Sequence, residues 1–202
     1  MKRVGVLISG RGSNLQALIE ASRAGRLGGE VVLALSNRPD APGLEHARAA
    51  GIAAEACPGA GRPREAHERE LIERLAVHRV DLVCLAGYMR RLSPIFVGAY
   101  AGRVLNIHPS LLPAFPGLDA QRQALEHGVK VSGATVHLVE EALDEGPIVL
   151  QEAVPVRESD DPESLAARIL EVEHRLYPEA VRLVLEGRCR VEGRRCRVEG
   201  RL

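Results

Sequence analysis

The apolar residues of the chain fall into short, nearly unbroken runs separated by longer stretches of mixed polarity. Val4-Gly5-Val6-Leu7-Ile8-Ser9 is the first run, and residues 31–35, 52–56, 80–86 and 103–106 continue the series. Short continuous runs of this kind predict strands, the first of them buried on both faces. Residues 15–24, 42–50 and 64–77 between them read as helices. Ser13 or Asn14 is a natural N-cap for the first helix. Pro42 opens the second and Gly51 ends it. Strand and helix alternate throughout this half, so a parallel α/β sheet is expected.

The second half is less regular. A short helix is expected to begin at Ser93-Pro94, and another over 117–127, closed by Gly128. Residues 129–139 alternate in polarity and predict a strand, with Ser132-Gly133 a candidate bulge. An acidic loop over 140–147 leads to a further strand at 148–156. Asp160 or Asp161 caps a long helix towards Leu185, which Pro178 should kink or split. The tail repeats Arg-Cys-Arg-Val-Glu-Gly-Arg at 188–194 and 195–201. Alternation with Glu-Gly in each copy predicts a β-hairpin; the alternative is a basic nucleic-acid arm, although it lacks aromatics to stack on bases. There is no linker or break in composition, so 1–187 and the tail 188–202 are taken as one domain.

Composition narrows the function. Across 202 residues the hydrophobic share is 46%, aromatics are 2% and Trp is absent, so aliphatic side chains must build the core. The formal net charge is zero, which gives no global basic field for nucleic acid. Lys occurs only at Lys2 and Lys130. Cys57, Cys84, Cys189 and Cys196 form no C-x-x-C pair, so no metal site is expected. The first apolar run is interrupted too soon for a signal peptide, and no run has membrane-spanning length. A cytoplasmic protein with reduced thiols is the expectation.

Three stretches carry candidate chemistry. Gly10-Arg11-Gly12-Ser13-Asn14 joins a strand to a helix, where glycines permit close backbone approach and the helix start attracts an anion. Leu15 stands where a dinucleotide fingerprint needs glycine, and Ser36-Asn37-Arg38 stands where it wants an acid. The loop therefore suits a single phosphate, or is a tight turn. Asn106 and His108, two residues apart in extended backbone, point to one side, and Pro109 stops the strand. Such a pair can hold a carbonyl oxygen as it becomes an oxyanion, or is simply a polar strand end. Asp144, before Gly146-Pro147, would favour the charged form of His108 if it faces the ring. His137 is either a supporting group near that site or a polar strand position.

Taken together, Ser9-Gly10-x-Gly12-Ser13-Asn14-Leu15-Gln16, Leu85-Ala86-Gly87-Tyr88-Met89-Arg90, Leu105-Asn106-Ile107-His108-Pro109-Ser110-Leu111-Leu112-Pro113 and Leu143-Asp144-x-Gly146-Pro147-Ile148 closely resemble the phosphoribosylglycinamide formyltransferase family. The likeness runs from near Val4 to about Gly187. It implies a Rossmann-like, mostly parallel seven-stranded sheet with helices on both faces. It implies formyl transfer from 10-formyltetrahydrofolate, as co-substrate and without a metal, to the amine of 5′-phosphoribosylglycinamide in purine biosynthesis. By the same resemblance Asn106, His108 and Asp144 are catalytic. Gly12, Ser13, Asn14 and Glu173 meet the ribonucleotide. Arg64, Met89, Arg90, Arg91, Leu92, Asn106, Glu140, Glu141, Ala142, Leu143 and Asp144 meet the folate. Leu170 departs from the pattern, since relatives often carry glutamine there. Small molecules are the expected partners, with neither nucleic acid nor membrane, and a homodimer is compatible with the resemblance. The Asn-x-His-Pro-Ser motif is shared with a formyltetrahydrofolate deformylase, which would pass the formyl group to water. A non-catalytic folate- or nucleotide-binding protein on the same fold is the other alternative.

Overall fold

A computed structural model describes residues 1–199, so the end of the second tail repeat, 200–202, lies outside the described residues. In chain order the elements are β1 Lys2–Ile8, α1 Ser13–Arg23, β2 Gly29–Ser36, α2 Gly43–Ala49, β3 Ala53–Ala56, α3 Arg64–Val77, β4 Leu82–Leu85, α4 Pro94–Ala99, β5 Val104–His108, α5 Ala120–Glu126, β6 Val131–Leu138, β7 Ile148–Pro155, α6 Pro162–Leu185, β8 Cys189–Glu192 and β9 Arg195–Val198. The strands form one sheet in the order β3-β2-β1-β4-β5-β6-β7-β9-β8. Pairing is parallel from β3 to β5. β6 runs antiparallel to both β5 and β7. The expected tail hairpin is present as β8 and β9, and it adds to the seven-stranded sheet. It docks beside β7 through one parallel pair, Ile148 with Arg195, covering backbone groups that an edge strand would otherwise expose.

The sheet is buried on both faces because its central strands carry apolar side chains on each. Val4, Val6 and Ile8 of β1 pack into a core with α1, α2, α5 and α6. Leu7 points the other way, into a smaller core with α3 and α4. β6 keeps its alternation yet is buried from Ser132 to Leu138. Ala134, Val136 and Leu138 join the larger core, whereas Thr135 bonds to the Ser110 and Leu112 backbone across the strand.

Several local expectations are corrected. α1 is capped by Gly12 in a left-handed conformation (φ 75°) and not by Ser13 or Asn14. A Cβ at Gly12 would lie 2.6 Å from Gly43 Cα, so only glycine lets this loop rest on α2. The helix expected over 117–127 is confined to Ala120–Glu126, because Gly117 and Asp119 both have positive φ. The β6 irregularity falls between Val136 and His137, not at Ser132-Gly133. Gly133 instead accommodates β7, whose Glu152 O lies 2.1 Å from where a Cβ would be. β5 continues two residues further than expected, to His108. Pro178 does not split α6, which runs 24 residues without a break. Buried Leu176, Tyr177, Ala180 and Val181 hold the helix on both sides of the hydrogen bond that proline removes. Cys189 and Cys196 are joined as a disulfide across the hairpin, with Cα atoms 5.8 Å apart, whereas Cys57 and Cys84 are free and buried.

Asp161 caps α6 in a reciprocal capping box with Ser164. Replacing Asp161 with Ala should lower stability by about 1 kcal/mol, read as a lower urea midpoint at unchanged slope. An unchanged midpoint would show that the cap contributes nothing.

Candidate active site

The chain leaves β1 towards β2 and β3 on one side and returns to β4 and β5 on the other. In a sheet of this kind ligands bind at the carboxyl ends of the strands flanking that reversal. A cleft of about 350 Å³ lies there, lined by Ser9 to Asn14, Asn37, Arg38, Ala86, Gly87 and Met89. It brings the glycine loop after β1 against the segment after β4. Gly12 makes no side-chain cap bond to α1, so the backbone N–H groups of the first turn have no side-chain acceptor from the N-cap.

Asn14 is turned inward. Its amide nitrogen donates to Glu173 Oε2 on α6 at 2.7 Å, and its carbonyl oxygen is buried with no partner. Glu173 is 7% exposed. Burial pushes its pKa up from 4.5 to about 6, and the bond from Asn14 opposes this only in part. The structure thus joins Gly12, Ser13, Asn14 and Glu173 in one region.

A second set of groups meets on β5 and β6. In the antiparallel register Asn106 lies opposite His137, and His108 opposite Thr135. His137 Nδ1 lies 2.9 Å from Leu138 O, and Asn106 Nδ2 lies 3.1 Å from His137 Nε2. These partners assign a neutral ring with its proton on Nδ1. Burial agrees, lowering the pKa of His137. Asp144 reaches in from the β6–β7 loop, with its side chain 8% exposed. Its Oδ2 accepts from Gly117 N at 2.8 Å and lies 3.6 Å from His108 Nδ1. Its Oδ1 lies 3.7 Å from His137 Nε2. Asp144 has φ 55°, a conformation non-glycine residues rarely hold without a compensating contact. His108 Nε2 lies 2.8 Å from Phe115 O. Its two ring nitrogens therefore face two different oxygens, one of the backbone and one of Asp144. The outward N–H is held by a backbone carbonyl and is not free in this arrangement.

The remaining candidates lie outside these two sets. Met89 is exposed after β4, and Arg64 is exposed at the start of α3. Arg90 turns its guanidinium away to donate to Gly59 O at 2.8 Å, so the side chain clamps two loops together. Arg91 is exposed and Leu92 is half-buried against the smaller core. Glu140, Glu141, Ala142 and Leu143 are exposed on the loop that carries Asp144. Among the described residues no group of three or more His, Cys, Asp or Glu is placed to hold a metal ion, and no helix is long and apolar enough to cross a membrane.

Sequence reading missed the residues that tie these pieces together. Ser9 Oγ donates to Asn37 Oδ1 at 2.5 Å and accepts from Met89 N at 2.8 Å, linking three cleft walls. Thr135 Oγ1 donates to Ser110 O at 2.6 Å and accepts from Gln151 Nε2 at 2.9 Å, pinning the turn behind His108. Only the strand register, which one sequence does not supply, places Thr135 opposite His108.

The family model described as "Formyl transferase" matches residues 2–181. The chain belongs to the formyl transferase family. It is 49% identical to the phosphoribosylglycinamide formyltransferase of Escherichia coli over 92% of this chain and 88% of that protein. The crystal structure of glycinamide ribonucleotide transformylase 1 from Symbiobacterium toebii superposes with a TM-score of 0.96 at 59% identity, over 98% of this chain and 94% of that one. A formyltetrahydrofolate deformylase from Pseudomonas syringae is similar at 31% identity and a TM-score of 0.92, over 98% of this chain and 65% of that one. This formyl transferase shares its Rossmann-like sheet with both solved structures. It is an enzyme of that family, with relatives named for ribonucleotide formylation.

Glu173 gives a stability prediction. Well below pH 4.5 its carboxyl is protonated in folded and unfolded chains alike, and well above pH 6 it is ionised in both. Between these values the folded state binds more protons, so stability falls as pH rises, by roughly 2 kcal/mol in all. Glu173→Gln removes this loss. Relative to the parent, the variant should gain roughly that amount between about pH 4 and pH 7.5 in urea unfolding. Parallel curves for the two proteins would refute the assignment.

Proposed function

We propose that this enzyme transfers the formyl group of 10-formyltetrahydrofolate to the amine of 5′-phosphoribosylglycinamide, a step of purine biosynthesis. The observation that carries the reading is the convergence of Asn106 and His108 on β5, His137 on β6 and Asp144 on the following loop, in the same sheet whose β1 leads into the glycine loop. Its relatives' names supply the substrate class. The folate is a substrate here, consumed in each turnover. Exposed Met89 and Leu143, with Leu118 nearby in sequence to His108, offer apolar surface of the kind a flat aromatic group needs.

Gly12 and Ser13 hold the ribonucleotide phosphate at the start of α1, and Glu173 with Asn14 receives its glycinamide end. The free amine attacks the formyl carbon, forming a C–N bond while the carbonyl electron pair moves to oxygen. Asn106 spends one amide hydrogen on His137, which fixes the amide plane, and aims the other at that oxygen. His108 exchanges Phe115 O for the same oxygen and donates through Nε2. Asp144 faces the other ring nitrogen and keeps the ring charged and oriented. It also helps place a water that carries the proton lost by the amine to the folate nitrogen as the old C–N bond breaks. No protein nucleophile takes part.

Asn106→Ala should lower kcat roughly 10²–10³-fold, and Asp144→Asn roughly 10²–10⁴-fold. Both should keep native circular dichroism and nearly unchanged KM values in a steady-state formyl-transfer assay. A near-parental kcat in either variant would remove that residue from the mechanism.

A further inference from the structure

Tyr177 is fully buried in the middle of α6, one turn beyond Glu173. Its hydroxyl lies 2.9 Å from Leu85 O and 3.0 Å from Leu105 O, donating its single proton between them. Leu85 is the last residue of β4 and Leu105 immediately precedes Asn106 in β5. Leu85 also pairs with Asn106, the final pair between these strands. Beyond it the strands part. β4 turns away through Gly87 at φ 72°, while β5 continues to His108. The peptide plane after Leu85 is held from its other side, where Ala86 N donates to Leu7 O at 2.9 Å. A phenylalanine would fill the same volume without a hydroxyl to desolvate. The hydroxyl spends its bond at the fork between the two strands that lead into the site.

We propose that Tyr177 is a positioning residue for formyl transfer: its hydroxyl holds the Leu85 and Leu105 peptide planes at this fork and thereby aims the Asn106 amide. The proposal rests on the reading of Asn106 as an oxyanion donor. The residue that reaches the phosphate loop, Glu173, and the one that reaches the catalytic strand, Tyr177, share one face of one helix. α6 thus sets the spacing between the two halves of the site.

The test is steady-state kinetics of Tyr177→Phe, Asn106→Ala and the double variant. Tyr177→Phe should lower kcat about tenfold, the rate equivalent of one ordinary hydrogen bond, with KM for both substrates within about twofold. In the Asn106→Ala background the same change should have no further effect. Replacing Tyr177 with 4-aminophenylalanine, which keeps a donor at the same position, should restore kcat, and this variant decides the matter if Tyr177→Phe fails to fold. Full kcat in Tyr177→Phe, an equal loss in both backgrounds, or no recovery with the amino variant would overturn the proposal. Full activity in Asn106→Ala alone would sink the role of Asn106 first, and this proposal with it. An impaired Asn106→Ala beside an unimpaired Tyr177→Phe would sink this proposal only.

Discussion

The site depends on one carboxylate held nearly out of water. Among the described residues Asp144 is paired with no Lys or Arg, and burying a carboxylate is costly unless its oxygens are satisfied. Its Oδ2 accepts from the Gly117 backbone N–H and faces His108 Nδ1, while Oδ1 lies beside the Nε2 edge of His137. This arrangement needs β5 and β6 antiparallel, so that His137 stands opposite Asn106. It needs the β6–β7 loop folded back far enough to deliver Asp144, at a left-handed φ. It also needs the turn after Pro109 to present both Phe115 O and Gly117 N.

The parallel half of the sheet supplies the other side of the site. Its chain reversal between β1 and β4 opens the cleft, and Gly12 resting on Gly43 sets the loop that faces it. Ser9 bridges that loop's strand to the segment after β4. α6 connects the halves, since Glu173 meets Asn14 while Tyr177 meets β4 and β5. On the proposed reading, placement of the reacting groups is divided between a parallel unit that offers an anion site and an antiparallel pair that offers donors. Holding reactants in register in this way can supply a large part of a rate enhancement.

Much of this was legible in the residues. Continuous apolar runs located the strands, Arg64–Val77 was bounded correctly as α3, and the Asn106–His108 spacing put two donors on one side. What was not legible depends on tertiary context. Gly12, not Ser13, caps α1 because the approach of Gly43 selects the backbone conformation. Pro178 stays inside one helix because packing on both sides outweighs one lost hydrogen bond. Ser9, Thr135 and Gln151 look like ordinary strand residues until the register shows what they tie together. Asp144 was placed near His108 by family resemblance and not by any spacing in the chain, in which 35 residues lie between them.

The fate of the formyl group tests the account most directly. The protein is incubated with 10-formyltetrahydrofolate labelled with ¹³C at the formyl carbon, with and without phosphoribosylglycinamide, and the label is followed by NMR. The label should move to the glycinamide amine only when the ribonucleotide is present, with no formate accumulating in its absence. Rapid formate release without the ribonucleotide would show that water is the acceptor and that the glycine loop has been misread.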